Sequence, residues 1–282
     1  MSIVIMLDSS ASITKAIAKK YSIDILTYNL KFSDNIIYRD FIEIKKHSDL
    51  INEIHANNSL RVFGLMEKEK IRNLFRKHIE NGNDILYICI GDKLSNSYKR
   101  ISKVAEEFNQ NNIQVIDSMN VGIGQTLLAI AAREYINHGY GLKQVAKYIN
   151  RIKIDIKSYY CIGNPNYLYS QNRCEDIAHN YLDYYHKIPV AEIKKGQIFL
   201  TFSAKENEVA LQILKNAIMD NHKYLADFPI MISYCGDREI STKLKSYIYK
   251  NFRKDVIIVE TSTIVYINSG INTIGLSFLI NK

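Results

Sequence analysis

Short apolar runs alternate along the chain with longer stretches in which apolar residues return at helical spacing. The clearest run is Ile85-Leu86-Tyr87-Ile88-Cys89-Ile90-Gly91, uncharged and rich in β-branched and aromatic residues. It predicts a strand covered on both faces, as in the middle of a parallel sheet. Gly91-Asp92-Lys93 breaks the run, and Leu94-Ser95-Asn96-Ser97 is placed to cap a helix running towards Phe108. In open parallel sheets ligands sit beyond the carboxyl ends of strands, where free N–H groups and the helix dipole favour an anionic group. A well-capped turn that binds nothing leaves the same pattern.

Upstream, Ser2 to Leu7 predicts a first strand, and Asp8-Ser9-Ser10-Ala11-Ser12 a turn opening a helix to Lys20. Ile23 to Leu30 reads as a second strand, Tyr38-Arg39-Asp40 as loop, and Glu43 to His55 as helix. Leu60 to Met66 reads as extended. A charged amphipathic helix follows, with Ile71, Leu74, Phe75 and His78 on one side and Asn81-Gly82-Asn83 at its end. Downstream, Ile113 to Ile116 is a strand ending in Asp117-Ser118, and Gly122-Ile123-Gly124-Gln125 leads into a helix closed by His138-Gly139. A helix from Leu142 to Ile156 then carries the chain into a second unit.

That second unit reads as a strand (Ser158 to Ile162), a helical region (Asn166 to Tyr184) and two strands joined by a Lys195-Gly196 hairpin turn. Helix (Glu206 to His222), strand (Pro229 to Tyr234), helix (Ile240 to Phe252), strand (Val256 to Glu260) and a last apolar run (Thr273 to Ile280) complete it. The expectation is an α/β protein of two domains, residues 1–156 and 157–282, with an interface between them.

Composition narrows the class. Of 282 residues, 47% are hydrophobic and 23% charged, the balance of a globular chain and not a disordered one. No apolar run reaches membrane-spanning length and no leader precedes the first strand, so a cytoplasmic protein without a transmembrane segment is expected. The formal charge of +8 raises nucleic acid as a partner. The denser basic groups, around Lys147 to Lys157 and Lys243 to Lys254, read as solvated helix faces, and no nucleic-acid partner is expected. Cys89, Cys161, Cys174 and Cys235 form no C-x-x-C pair, and no His, Cys or carboxylate cluster has ligand spacing, so neither metal nor thiol chemistry is expected.

Catalytic and nucleotide motifs are missing as well. The glycines at 122 and 124 lack the third glycine of a dinucleotide fingerprint, and no G-K-[ST] or G-x-S-x-G occurs. Asp8 could be a phosphoryl-accepting nucleophile, but the second carboxylate such sites use is Ser10 here. Asp8 and Asp117 therefore read as acceptors that organise loops at the carboxyl edge of the sheet. No catalytic residue and no cofactor is expected.

The order of the motifs resembles the DegV family of bacterial fatty-acid-binding proteins. Leu7-Asp8-Ser9-Ser10 is similar to its opening T-D-S-[ST], and Gly91 to Tyr98 to its S-S-x-L-S-G-[ST]-Y. Val115-Ile116-Asp117-Ser118 is similar to its V-x-D-S. Tyr167 to Arg173 resembles Y-L-x-x-G-G-R, and Asn268 to Leu276 resembles the closing H-x-G-x-G-x-L-G-L. The resemblance implies a two-domain fold with a mostly parallel sheet and flanking helices first and a smaller α/β domain second. A fatty acid would lie in an apolar tunnel between them. The family presents that fatty acid's carboxylate to a separate fatty-acid kinase and does no chemistry of its own.

The departures fall on the head group. The family's T-S-Q-P is replaced by Val62-Phe63-Gly64-Leu65, the paired serines by Gly91 and Asp92, and the closing histidine by Asn268; both glycines before Arg173 are gone. An acidic Asp92 would repel a carboxylate unless turned away or protonated. The resemblance thus implies a ligand site at Ser95 and Asn96, with Asn268 and Ser269 helping, Phe63 and Gly64 as wall, and Arg173 at the domain interface or kinase contact. The other reading is a relative kept for interaction or regulation that has lost fatty acid or binds a different ligand.

Overall fold

A computed structural model describes residues 2–31, 37–40, 67–170 and 187–281 of the chain. The first part runs β1 (Ser2–Asp8), α1 (Lys15–Lys20), β2 (Ile23–Leu26), β3 (Asn29–Lys31), β4 (Ile37–Arg39), α2 (Lys68–Glu80), β5 (Asn83–Cys89), α3 (Ser97–Ala105), β6 (Ile113–Asp117), α4 (Ile123–Asn137) and α5 (Leu142–Ile152). Strands β2-β1-β5-β6 form one sheet in that order, every pair parallel. The apolar run that begins at Ile85 lies in its interior, between β1 and β6, and Ile85 to Cys89 are fully buried.

The second part comprises β7 (Ile156–Cys161), α6 (Pro165–Ser170), β8 (Ile188–Lys194), β9 (Gln197–Ala204), α7 (Asn207–Asn221), β10 (Ile230–Tyr234), α8 (Glu239–Phe252), β11 (Val256–Glu260), α9 (Thr263–Ser269) and β12 (Ile274–Leu279). Its six-stranded sheet has the order β11-β10-β12-β7-β8-β9, with only the β10–β11 pair parallel. Lys195 and Gly196 both take positive φ, 48° and 77°, the conformation that turns β8 tightly into β9.

Helix α4 joins the two sheets. Every residue from Ile123 to Ala132 is buried, because the helix packs on β1 and β5 on one side and on β7, β10 and β12 on the other. Its polar residues are paired: Gln125 Nε2 donates to Ile88 O (2.9 Å), and Thr126 Oγ1 to Ser12 O (3.0 Å). Burying Leu127, Leu128 and Ile130 contributes about 1.5–3 kcal/mol each.

Four local expectations change. The strand expected over Ile23 to Leu30 breaks after Leu26, because Tyr28 N–H donates to Ser9 Oγ (3.0 Å) and Tyr28 O accepts from Asp40 N–H (2.9 Å). The loop expected at Tyr38-Arg39-Asp40 is largely strand β4, antiparallel to β3. The helix expected to reach Ile156 stops at Ile152, since Ile156 begins β7 and a 3₁₀ turn over Lys153–Asp155 makes the change. The run at 263–269, assigned nothing from its sequence, is helix α9. The expected helix at Glu43 to His55, the extended run at Leu60 to Met66, and residues 171–184 of the helical region after Asn166 lie outside the described residues.

Candidate functional site

The order of the parallel sheet reverses between β1 and β5, the place where open α/β sheets leave a crevice beyond their strand ends. Asp8 closes β1 there, buried. Its Oδ1 accepts from Ser10 N–H (3.1 Å) and lies against Ser10 Oγ, and its Oδ2 accepts from Ile90 N–H (2.9 Å). Asp117 at the end of β6 accepts from Asp92 N–H (3.0 Å) and Met119 N–H (2.8 Å). Both carboxylates organise loops, as their positions suggested. Burial pushes the Asp8 pKa up, with the Ser10 and Ile90 hydrogen bonds acting against it.

The loop after β5 is folded on itself. Gly91 O accepts from Leu94 N–H (2.9 Å) and Ser95 N–H (3.1 Å), and Ser95 Oγ accepts from Ser97 N–H (3.3 Å). This brings Leu94 and Ser95 onto a cavity of about 140 Å³. The first part of the chain also supplies Tyr28, Ile90 and Val121. The second supplies Tyr160 from β7 and Ile162 just after it, Leu168 from α6, Ala191, Ile193 and Ile198 from the hairpin, and Ile264, Val265, Ile267, Asn268 and Ser269 from α9. No Lys, Arg, Asp or Glu is among these described lining residues. The wall is aliphatic and aromatic with a few hydroxyls and one amide, the chemistry that holds a long apolar body with a small polar end.

Several of those polar groups are already engaged. Ser269 Oγ donates to Val265 O (2.8 Å), Asn268 Nδ2 donates to Ile264 O (2.7 Å), and Tyr160 OH donates to Val121 O (2.9 Å). Ser95 Oγ is 2.9 Å from Ser97 Oγ, which is 2.9 Å from Tyr28 OH. Asp92 is not on the cavity; its Oδ2 faces Lys99 Nζ at 3.6 Å. Among the described residues, burial pushes the Cys161 and Cys235 thiols up to about 12 and Cys89 well above its usual value, so these three are held as neutral thiols.

A family model described as "Uncharacterised protein, DegV family" matches residues 2–281. The chain belongs to the DegV family. It is 28% identical over 154 residues to a DegV domain-containing protein of Clostridium perfringens, a match covering 55% of this chain and 54% of that one. Its fold is that of solved DegV structures. A fatty-acid-binding DegV family protein from Thermus thermophilus matches with TM-score 0.88 and 17% identity over 100% of both chains. A stearic-acid-binding protein from Eubacterium ventriosum matches with TM-score 0.85 and 21% identity over 98% of this chain and 97% of the other.

Against the DegV motifs, the structure brings Ser95, Asn268 and Ser269 to one cavity. Asn96 is the exposed N-cap residue of α3 and is not among the lining residues. Phe63, Gly64 and Arg173 lie outside the described residues. Sequence reasoning missed Tyr28 and Tyr160. Tyr28 lies two residues past the end of β2, at the carboxyl edge of the parallel sheet, a position where a polar-tipped aromatic merited attention. Among the described residues there is no helix long and apolar enough to cross a membrane, and no group of three or more potential metal ligands.

Proposed function

We propose that this chain binds a long-chain fatty acid or similar lipid between residues 1–156 and 157–282, acting as two domains, and presents its carboxylate to a separate fatty-acid kinase. The acyl chain lies along the aliphatic lining, and Ser95 is the principal head-group donor, with Asn268 and Ser269 beside it. Asn96 adds backbone near the head group, Phe63 and Gly64 continue the wall, and Arg173 serves the domain or kinase contact. No cofactor takes part, and the protein does no chemistry itself, working in the cytoplasm. The observation that carries this reading is the uncharged cavity shared by both parts of the chain, with Ser95 on it. It is supported by the fatty-acid and stearic-acid binding of the two fold relatives.

Native mass spectrometry of the purified protein, with extraction and identification of any bound molecule, tests it. The expected result is a fatty acid at near-stoichiometric amount, retained about tenfold less well in Ser95→Ala through the lost hydrogen bond to a charged group. A protein that stays lipid-free after incubation with fatty acids of several lengths would mark a fold kept for interaction or regulation.

A further inference from the structure

We infer that Tyr28 is a positioning residue for the ligand's head group: it sets the direction of a chain of hydroxyls that ends at Ser95, and couples that direction to Asp8. This deepens the fatty-acid reading above and rests on it.

Each hydroxyl carries one proton, so a run of hydroxyls has a direction. Tyr28 OH lies 2.9 Å from Ser97 Oγ, and Ser97 Oγ lies 2.9 Å from Ser95 Oγ. When Tyr28 donates to Ser97, Ser97 donates to Ser95, and Ser95 keeps its own proton for an acceptor in the cavity. When Tyr28 donates elsewhere, the run reverses. Ser95 then gives its proton to Ser97 and offers only lone pairs, which a carboxylate cannot use.

Among the described residues, a further acceptor on the Tyr28 side is Asp8. Both line a second, small cavity of about 10 Å³ beside Leu26, Tyr87 and Ser97, and the charge of an ionised Asp8 acts on the Tyr28 hydroxyl. An ionised Asp8 draws the Tyr28 proton towards itself, whereas a neutral Asp8 releases it to Ser97. Proton counting around Asp8 favours the neutral form. Ser10 Oγ lies against Asp8 Oδ1 and 2.9 Å from Gln125 Oε1, with one proton for the two acceptors. Gln125 Nε2 is committed to Ile88 O, which fixes Oε1 as an acceptor. A proton on Asp8 directed at Ser10 frees Ser10 to donate to Gln125, and every group is then satisfied.

Burial of Asp8 works in the same direction. The titratable groups facing it among the described residues are Tyr28 beyond β2 and Tyr87 and Cys89 on β5, all kept neutral by burial with Asp8 adding to the effect. Asp92, in the loop after β5, and Asp117, at the end of β6, act with Asp8 on Cys89. A carboxylate bound at Ser95 therefore favours neutral Asp8, and its affinity rises as pH falls.

The test compares palmitate with 1-hexadecanol, whose hydroxyl can donate or accept and is indifferent to the direction of the chain. In the full-length protein the ratio of palmitate to hexadecanol affinity is expected to fall by about tenfold or more as pH rises, the worth of a hydrogen bond to a charged group. Tyr28→Phe and Asp8→Asn are each expected to flatten that profile; palmitate's own titration is common to all three proteins and cancels in the comparison. A profile that is flat in the wild type, or that survives Tyr28→Phe in a protein with unchanged circular dichroism, overturns the inference alone. A wild type that binds neither lipid overturns the fatty-acid reading and this inference with it.

Discussion

Gly163 stands where the chain leaves β7 for α6, and a Cβ built on it would fall 1.7 Å from Ile271 O and 2.9 Å from Thr273 N. Two backbones touch there, and neither can yield as a side chain does. The contact also carries hydrogen bonds: Gly163 N–H donates to Thr273 Oγ1 (3.1 Å) and Asn164 N–H to Ser269 O (2.9 Å). The second of these holds the end of α9, where Asn268 and Ser269 meet the cavity. Gly163→Ala must push the 271–273 loop aside at a cost of about 1–3 kcal/mol, typical of overpacking. Urea denaturation is expected to show that loss, accompanied by weaker lipid retention. An unchanged midpoint would mean that the loop has room to move.

Helix α9 shows how an element can escape a reading of the sequence and still shape the site. Its seven residues, Thr263-Ile264-Val265-Tyr266-Ile267-Asn268-Ser269, are mostly β-branched or aromatic and read as strand or as nothing. The helix forms because Ser262 caps it, accepting from Val265 N–H (3.3 Å) through Oγ, and because Ser262 ties back to β1's loop. Its Oγ also donates to Ser10 O (2.7 Å), and its N–H donates to Ser12 Oγ (2.9 Å). Those partners lie some 250 positions away in sequence, so no local pattern could announce them. The same contrast runs through the molecule. The Ile85 strand was legible because burial on both faces leaves an uninterrupted apolar run, whereas the cap expected from Leu94 to Ser97 is not made, since the N-cap Asn96 gives α3 no side-chain hydrogen bond. Tyr28 was not legible, because its role comes from a break in β2 that depends on Ser9 and Asp40. Asp92 looked obstructive in sequence order, whereas in space it faces Lys99. Removing the cap with Ser262→Ala is expected to cost about 1–2 kcal/mol and to speed release of bound lipid, measured by urea denaturation and by fatty-acid dissociation rate. Faster release without loss of stability would place Ser262 in the site and not in the scaffold.

At the scale of the whole molecule, α4 is expected to set how the protein unfolds, because it contacts strands of both sheets. It belongs to the first part of the chain by order, yet β7, β10 and β12 cover the side turned away from β1 and β5. One continuous apolar core accordingly contains Leu7 and Leu128 together with Tyr160, Met231 and Leu279. The two parts share this cluster, and each keeps a further one of its own, around Phe75 and Tyr87 in the first and around Leu211 and Leu244 in the second; splitting them would expose the second-sheet face of α4 to water. The chain has 20 tyrosines and no tryptophan, so tyrosine emission reports on both sheets. Urea unfolding followed by tyrosine fluorescence and by far-ultraviolet circular dichroism is expected to give one coincident transition. Leu128→Ala should move both curves together, by about 2–5 kcal/mol, and residues 1–156 expressed alone should fail to fold. Saturating fatty acid at about 100 times its Kd should add about 2.7 kcal/mol to the same single transition. Two separated transitions, with only the first sensitive to Leu128→Ala, would instead mean that each sheet holds its own core and that α4 serves the second only as a docking surface.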